Sequence, residues 1–293
     1  MKGLVVVNPN AGAGKGLSIG AHVRTHFQKS TDEFYFVETN SLTEALTQVD
    51  VLCRAHKFEV LIGVGGDGLI HDLLPTLIKH ELPLLVIPAG TGNDLARSLG
   101  LYRVKLQRLL ELPLNSEPTT LDLALVTHSS GITPFIQILS TGFDSVVNER
   151  ANNFQSIKGK FKYIIAVLLE VWRFRALRFT VTIDGVVQDH EAMLVCVANG
   201  NSYGGGMKIV PHAKRDDQLL DVMVVDRINS LRLLVVFPRV YFGTHIRHPK
   251  VHFYSGREVH IDGMAHAFAD GERISDLPID ISISPKSLMV YSL

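Results

Sequence analysis

The chain has 293 residues, enough to bury a full-sized core and, at roughly 150 residues per domain, to form about two domains. Its 29 basic and 29 acidic side chains cancel, so no global field steers it toward nucleic acid, and any polyanion site must be local. Hydrophobic residues at 46% and charged residues at 20% exclude a largely disordered chain.

The N-terminal MKGLVVVNPN holds an apolar run too short for a signal peptide. No later run approaches the roughly 18 to 20 apolar residues of a spanning helix, so any membrane contact is expected at the surface. Cys53 and Cys196 make neither a CxxC nor a zinc spacing, and a reducing cytoplasm is the natural expectation.

Short apolar runs alternate with amphipathic segments early in the chain: Leu4–Val7, Phe34–Val37, Val60–Ile62, Leu84–Ile87 and Leu121–Ala124. Strands apolar on both faces predict a parallel sheet covered by helices, an α/β doubly wound layer. Ser41-Leu42-Thr43-Glu44 predicts a capping box at a helix start. After about Leu125 the pattern turns to alternation, in Thr180–Gly185, Val222–Val225, Val259–Asp262 and Ile279–Ile283. Half-buried antiparallel strands are expected there, with Asp184-Gly185 as a hairpin turn and helices over Lys160–Phe174 and Ser230–Tyr241.

Three glycine-rich turns fall where strand hands over to helix. Asn8-Pro9-Asn10-Ala11-Gly12-Ala13-Gly14-Lys15-Gly16 suits an anion nest but is not a Walker A loop, because Pro9 and Gly16 stand where glycine and a hydroxyl residue belong. Gly63-Val64-Gly65-Gly66-Asp67-Gly68 matches GxGxxG, yet the next strand ends in Pro88-Ala89-Gly90 without the acid that a dinucleotide site needs. Asp67 beside a phosphate site implies a cation, a proton-transfer role, or both. Pro88-Ala89-Gly90-Thr91-Gly92-Asn93-Asp94 adds a hydroxyl and a second carboxylate.

NPNAGAGKG, GGDG at Gly65–Gly68, PAGTGND at Pro88–Asp94, the stretch Ala198–Val222 and DGE at Asp270–Glu272 resemble, in family order, the bacterial diacylglycerol kinase catalytic-domain lipid kinases. The resemblance implies α/β plus all-β architecture: an NAD-kinase-like nucleotide-binding domain over residues 1–124, completed by 286–293, and an antiparallel β-sandwich lipid-substrate domain over 125–285, with the active site in the cleft between them. It implies ATP contacts at Asn8, Pro9, Gly12, Thr39, Gly65, Gly66, Asp67, Gly68, Leu69, Ile70, His71, Thr91, Gly92 and Asn93. Asp67, Asp94 and Asp122 match the carboxylates that hold magnesium through water. A structural cation maps to Asp217 with the Lys214 and Leu219 carbonyls. Glu272 matches the general base, with Asp270 beside it, and Asp67 is the rival base.

The chain departs from the family in Leu69 and His71, where GGDGT and a following asparagine are usual, and in Gln218, where DDG is usual. The expected activity is an ATP- and magnesium-dependent lipid kinase acting on a hydroxyl of diacylglycerol or a related lipid. The alternatives are an NAD kinase-like enzyme and a catalytically silent lipid- or nucleotide-binding regulator. Between Arg150 and Arg178 there are seven basic residues, including Lys158, Lys160 and Lys162, one acid, Glu170, and the only tryptophan, Trp172. That segment is expected either to touch an anionic membrane, the inner face of a cytoplasmic one, or to pack as an ordinary solvated helix. Oligomeric state is left open, a homodimer included.

Overall fold

The computed structural model describes residues 1–154 and 160–293; Lys158 lies outside them. The chain divides into two compact units, Met1–Leu121 with Lys286–Leu293, and Asp122–Pro285.

In the first unit β1 (Lys2–Val7), β2 (Glu33–Glu38), β3 (Val60–Gly65) and β4 (Leu84–Pro88) form a parallel sheet in the order β2-β1-β3-β4. The end of the chain's last strand, Ile279–Val290, adds to this sheet, Val290 pairing in parallel with Leu84. Connections run through α1 (Lys15–Phe27), α2 (Leu42–Ala55), α3 (Asp67–His80), α4 (Asp94–Ser98) and α5 (Leu106–Asn115). Leu4, Val5, Val6, Leu61, Ile62, Leu84 and Leu85 are fully buried, as strands covered on both faces require.

The cap of α2 is only half the expected box. Ser41 Oγ accepts from the Glu44 amide at 3.3 Å, but Ser41 N donates to Thr39 Oγ1 at 3.1 Å. The Glu44 carboxylate instead takes the Thr39 hydroxyl at 2.7 Å and Gln48 Nε2 at 3.0 Å. Thr39, at the end of β2, has displaced the reciprocal bond.

Leu121–Ala124 is not a fifth parallel strand. It belongs to β5 (Thr119–His128), which pairs antiparallel with β6 (Gly131–Phe135) from Ala124↔Phe135 to His128↔Gly131. Its other neighbour is the chain's last strand rather than β4, and Thr119 Oγ1 donates to Val290 O at 3.3 Å.

The second unit is built on antiparallel pairing among β7 (Ile138–Gly142), β8 (Leu177–Ile183), β9 (Val186–Ala198), β10 (Leu220–Asp226), β11 (Val251–Gly256), β12 (Glu258–Gly263), β13 (His266–Ala269), β14 (Glu272–Asp276) and β15 (Ile279–Val290). Asp184 and Gly185, with φ of 46° and 83°, form the expected two-residue hairpin turn between β8 and β9. β10 is buried on both faces rather than one: Leu220, Val222 and Val224 join the main core, while Met223 packs with Met207, Ile209 and Val240.

That second face is covered by the segment Met207–Ala213, by Tyr163 of α7 (Lys160–Glu170) and by a 3-10 turn at Phe237–Phe242; α6 (Phe143–Asn152), α8 (Ser230–Val236) and a second 3-10 turn at Thr244–Arg247 complete the helical insertions. The helix expected over Ser230–Tyr241 changes to 3-10 at Phe237 because Pro238 has no N–H to continue the α ladder. Among the described residues no helix is long and apolar enough to cross a membrane.

Candidate active site

The candidate residues divide between the two units. In the first, strand register brings the glycine turns together: Val7 pairs with Val64 of β3 and with Glu38 of β2, and Gly65 pairs with Pro88 of β4. The carboxyl ends of four strands are therefore level, and the order reverses direction between β1 and β3, where α/β sheets open a crevice for ligands.

The turns touch through their backbones. A Cβ on Gly90 would lie 2.5 Å from Gly66 Cα, and one on Gly12 would lie 2.2 Å from the Ala89 carbonyl oxygen. Ala89 N and Gly90 N both donate to the Gly65 carbonyl, at 2.8 and 3.1 Å. Glycine at 12, 66 and 90 is thus the condition for three phosphate-sized turns to share one strand end.

Side chains brace this arrangement. Asn93, in the left-handed region at φ 54°, accepts from Gly90 N at 2.8 Å and donates to Gly90 O at 2.7 Å, closing the third turn on itself. Arg97 Nε donates to Gly92 O at 3.0 Å while its guanidinium stacks on Tyr102. Asp67 Oδ1 accepts from Leu95 N at 3.1 Å, so the carboxylate that opens α3 also caps α4. Asp94, beside Leu95, is buried. Asn8 Oδ1 holds Asn10 N at 3.0 Å, and Asn10 reaches Asn40, next to Thr39, at 3.3 Å. Thr91 is exposed.

Leu69, Ile70 and His71 are buried in α3. Leu69 closes over Gly65, where a Cβ would meet its Cδ2 at 2.6 Å, and Ile70 closes over Gly63 at 2.7 Å. Of the three, Leu69 alone falls among the first-turn amides that the α ladder leaves for other partners, since Ile70 N donates to Gly66 O at 3.4 Å, and Leu69 brings no hydroxyl or amide side chain. Lys15 was not among the residues chosen from sequence. Its Cδ lies 3.4 Å from the Cβ position of Gly12, so the aliphatic stem folds over the first turn, and the GAGKG string already contained that signal.

In the second unit the DGE tripeptide is a hairpin tip. Asp270 and Gly271, with φ of 51° and 94°, join β13 to β14 in a two-residue turn and present Glu272, which is exposed. Asp270 is the clamp of this tip. Its Oδ1 accepts from Gln137 N at 2.9 Å and Ile138 N at 3.3 Å, its Oδ2 from Ile136 N at 3.0 Å, and its own N–H donates to Ile138 O at 3.0 Å.

A buried polar chain continues from the clamp. Arg215 donates to Gln137 Oε1 from Nη2 at 2.8 Å and from Nε at 3.2 Å, and burial lowers its guanidinium to about 10, against the opposing pull of Asp270 and Asp216. The Arg215 carbonyl takes Asp122 N at 2.7 Å; Asp122 Oδ2 takes Gln218 N at 2.8 Å; and Asn199 Nδ2 donates to both Asp122 O and Ile136 O, at 2.9 and 3.0 Å.

The loop proposed for a structural cation lies in the same unit. Asp217 is exposed and its Oδ1 accepts from Leu219 N at 3.2 Å, while Lys214 precedes Arg215. Gln218 has φ 61°, the conformation that a glycine of a DDG turn would adopt freely. The glutamine holds that left-handed conformation at a strain of about 1 kcal/mol. Gln218→Gly is therefore expected to raise stability by about 1 kcal/mol in urea unfolding, with an unchanged m-value. A loss of stability would show that the glutamine side chain holds the loop.

Residues 2–126 match the family model described as the diacylglycerol kinase catalytic domain, and residues 137–292 match the YegS C-terminal NAD kinase beta sandwich-like domain. A diacylglycerol kinase of Mycobacterium tuberculosis is 35% identical over 235 residues, 79% of this chain and 76% of the relative. The chain belongs to the diacylglycerol kinase family. A diacylglycerol kinase of Staphylococcus saprophyticus is 26% identical over 279 residues, 94% of this chain and 90% of the relative. The crystal structure of a diacylglycerol kinase from Bacillus anthracis superposes with a TM-score of 0.73 at 20% identity, covering 100% of this chain and 97% of that one, and shows the same fold. Members of this family are phosphotransferases with an alcohol acceptor. The expected fold class, an α/β nucleotide-binding type of domain followed by an antiparallel β-sandwich, holds.

Proposed function

We propose that the chain is an ATP- and magnesium-dependent kinase that phosphorylates a hydroxyl of diacylglycerol or a related lipid. The observation that carries this reading is the convergence of three glycine turns at level strand ends, with Asp67 bridging two helix starts. Phosphoryl transfer asks the protein to position phosphates, balance charge and orient a hydroxyl, and little else.

The turns at Asn8–Gly12 and Gly65–His71, with Thr39 and Thr91–Asn93, cradle the triphosphate through backbone N–H groups and the Thr91 hydroxyl, while Lys15 adds a cation. Glu272 removes the proton of the lipid hydroxyl; its oxygen then bonds to the γ-phosphorus as the bond to ADP breaks. Asp270 acts by holding the tip that carries Glu272.

The donor set suits magnesium: Asp67, Asp94 and Asp122 offer only carboxylate oxygens, the hard ligands that this ion takes. Asp67, Asp94 and Asp122 would hold it, and its charge would neutralise phosphate oxygens. Asp217 with the Lys214 and Leu219 carbonyls would hold a second, structural cation by the same oxygen chemistry.

Calorimetry of ATP binding with magnesium and with chelator tests the metal assignment. Binding that strengthens with magnesium in the wild type and loses that dependence in Asp67→Asn is the expected result; an unchanged magnesium dependence removes Asp67 from the metal site. Phosphorylation of NAD in place of lipid would transfer the reading to the NAD kinases.

A further inference from the structure

Large apolar side chains left in water gather on one part of the second unit. On α7 and the turn after it, Ile164, Leu168 and Trp172 are exposed at four-residue steps, with Leu169 beside them; Trp172 is 58% exposed. A second stripe runs along α8 and the 3-10 turns: Leu231, Val235, Phe242 and Ile246, with Phe242 78% exposed. The inner sides of these elements meet in one cluster, where Ala166, Val167 and Val171 pack with Leu233, Leu234 and Phe237, and Ser230 Oγ donates to Val171 O at 2.7 Å. Both stripes therefore face away from the same core.

The side chains that edge the stripes are basic. Arg173 and Arg175 follow the first stripe, and Arg232, Arg239 and Arg247 are exposed along the second. Residues 227–250 hold five basic side chains and no acid; Arg227 and Lys250 at the two ends pair with Glu191 and Asp226, which leaves Arg232, Arg239 and Arg247 as the excess. Glu170, the single acid of the Arg150–Arg178 segment, is buried and paired with Arg150. Among the described residues no helix is long and apolar enough to span a membrane, and exposed apolar rows edged by arginine are how a surface binds at the headgroup level.

We infer that α7, α8 and the turns through Arg247 form one docking face for an anionic bilayer, seating Trp172, Leu231, Val235 and Phe242 among the acyl chains and the arginines on the headgroups. A second copy of the chain is the poorer occupant, because a two-fold contact would set this unbalanced positive charge against itself. The inference deepens the lipid-kinase reading, from which it takes its purpose: an acceptor dissolved in a bilayer has to be met there.

The test uses the full chain with vesicles of phosphatidylcholine alone and with added phosphatidylglycerol. Sedimentation with the anionic vesicles only, with a blue shift of the emission of Trp172, the single tryptophan, is the expected result. The Arg232→Gln/Arg239→Gln/Arg247→Gln variant should bind these vesicles about a hundredfold more weakly, at about fivefold per arginine. Phe242→Ser should weaken binding at constant charge. All variants should keep wild-type phosphorylation of a short-chain diacylglycerol in free solution, which reports folding and catalysis without docking. Vesicle binding without a tryptophan shift, undiminished binding by the arginine variant, or a dimer broken by Phe242→Ser would each overturn the docking face. Binding as expected with no lipid phosphorylated would leave the face standing and sink the kinase reading instead.

Discussion

Glu272→Gln should lower phosphoryl transfer by about a hundred- to ten-thousandfold while leaving ATP affinity unchanged. The amide keeps the size of the side chain at the exposed hairpin tip but cannot accept the proton of an acceptor hydroxyl. Initial rates against ATP and lipid separate the effects: kcat falls and the two KM values hold. Retained turnover would assign the base to Asp67, whose Oδ1 already serves the Leu95 amide as a helix cap.

Asp270 is expected to respond in a different way from a proton-transfer group. Removing its carboxylate in Asp270→Ala strands the amides of Ile136, Gln137 and Ile138, three residues that are buried, and places alanine at φ 51°. Charge-assisted bonds to backbone N–H are among the stronger ones, and the loss is expected to reach about 3 kcal/mol, with turnover falling because the tip no longer presents Glu272. Asp270→Asn tolerates the left-handed bend and still accepts through one oxygen, but its NH2 group now meets an amide donor; about 1 to 2 kcal/mol should go, with partial activity. Chemical denaturation and steady-state rates measured on both variants check this. If Asp270→Asn were fully stable and inactive, Asp270 would be a reacting group and not a clamp.

The glycine turns were legible in the sequence because their physics is local. Glycine clusters between an apolar run and an amphipathic one mark a strand end, and parallel order then sets those ends side by side. The fifth strand misled for the same reason: Leu121–Ala124 has the composition of a buried parallel strand, yet β5 neighbours β6 and the chain's last strand rather than β4, a choice of partner that composition does not mark. The double burial of β10 depends on the irregular Met207–Ala213 segment and the turn at Phe237–Phe242 folding over it, which alternation cannot report. The clamp role of Asp270 was hidden for want of its partners, which lie more than 130 residues away and are backbone groups that no side-chain pattern marks. Gln218 takes the left-handed conformation that a glycine of a DDG turn would adopt freely. Leu69 and Ile70 read as ligand contacts through the motif around them, and their apolar side chains turned inward over the glycines of β3.

Labelled γ-phosphate followed from ATP into diacylglycerol in mixed micelles with magnesium, with sphingosine, phosphatidylglycerol and NAD as parallel acceptors, decides the reaction. A labelled lipid that requires magnesium and is lost in Glu272→Gln is the expected result. ATP bound but no lipid labelled, or label appearing in NAD, would contradict it.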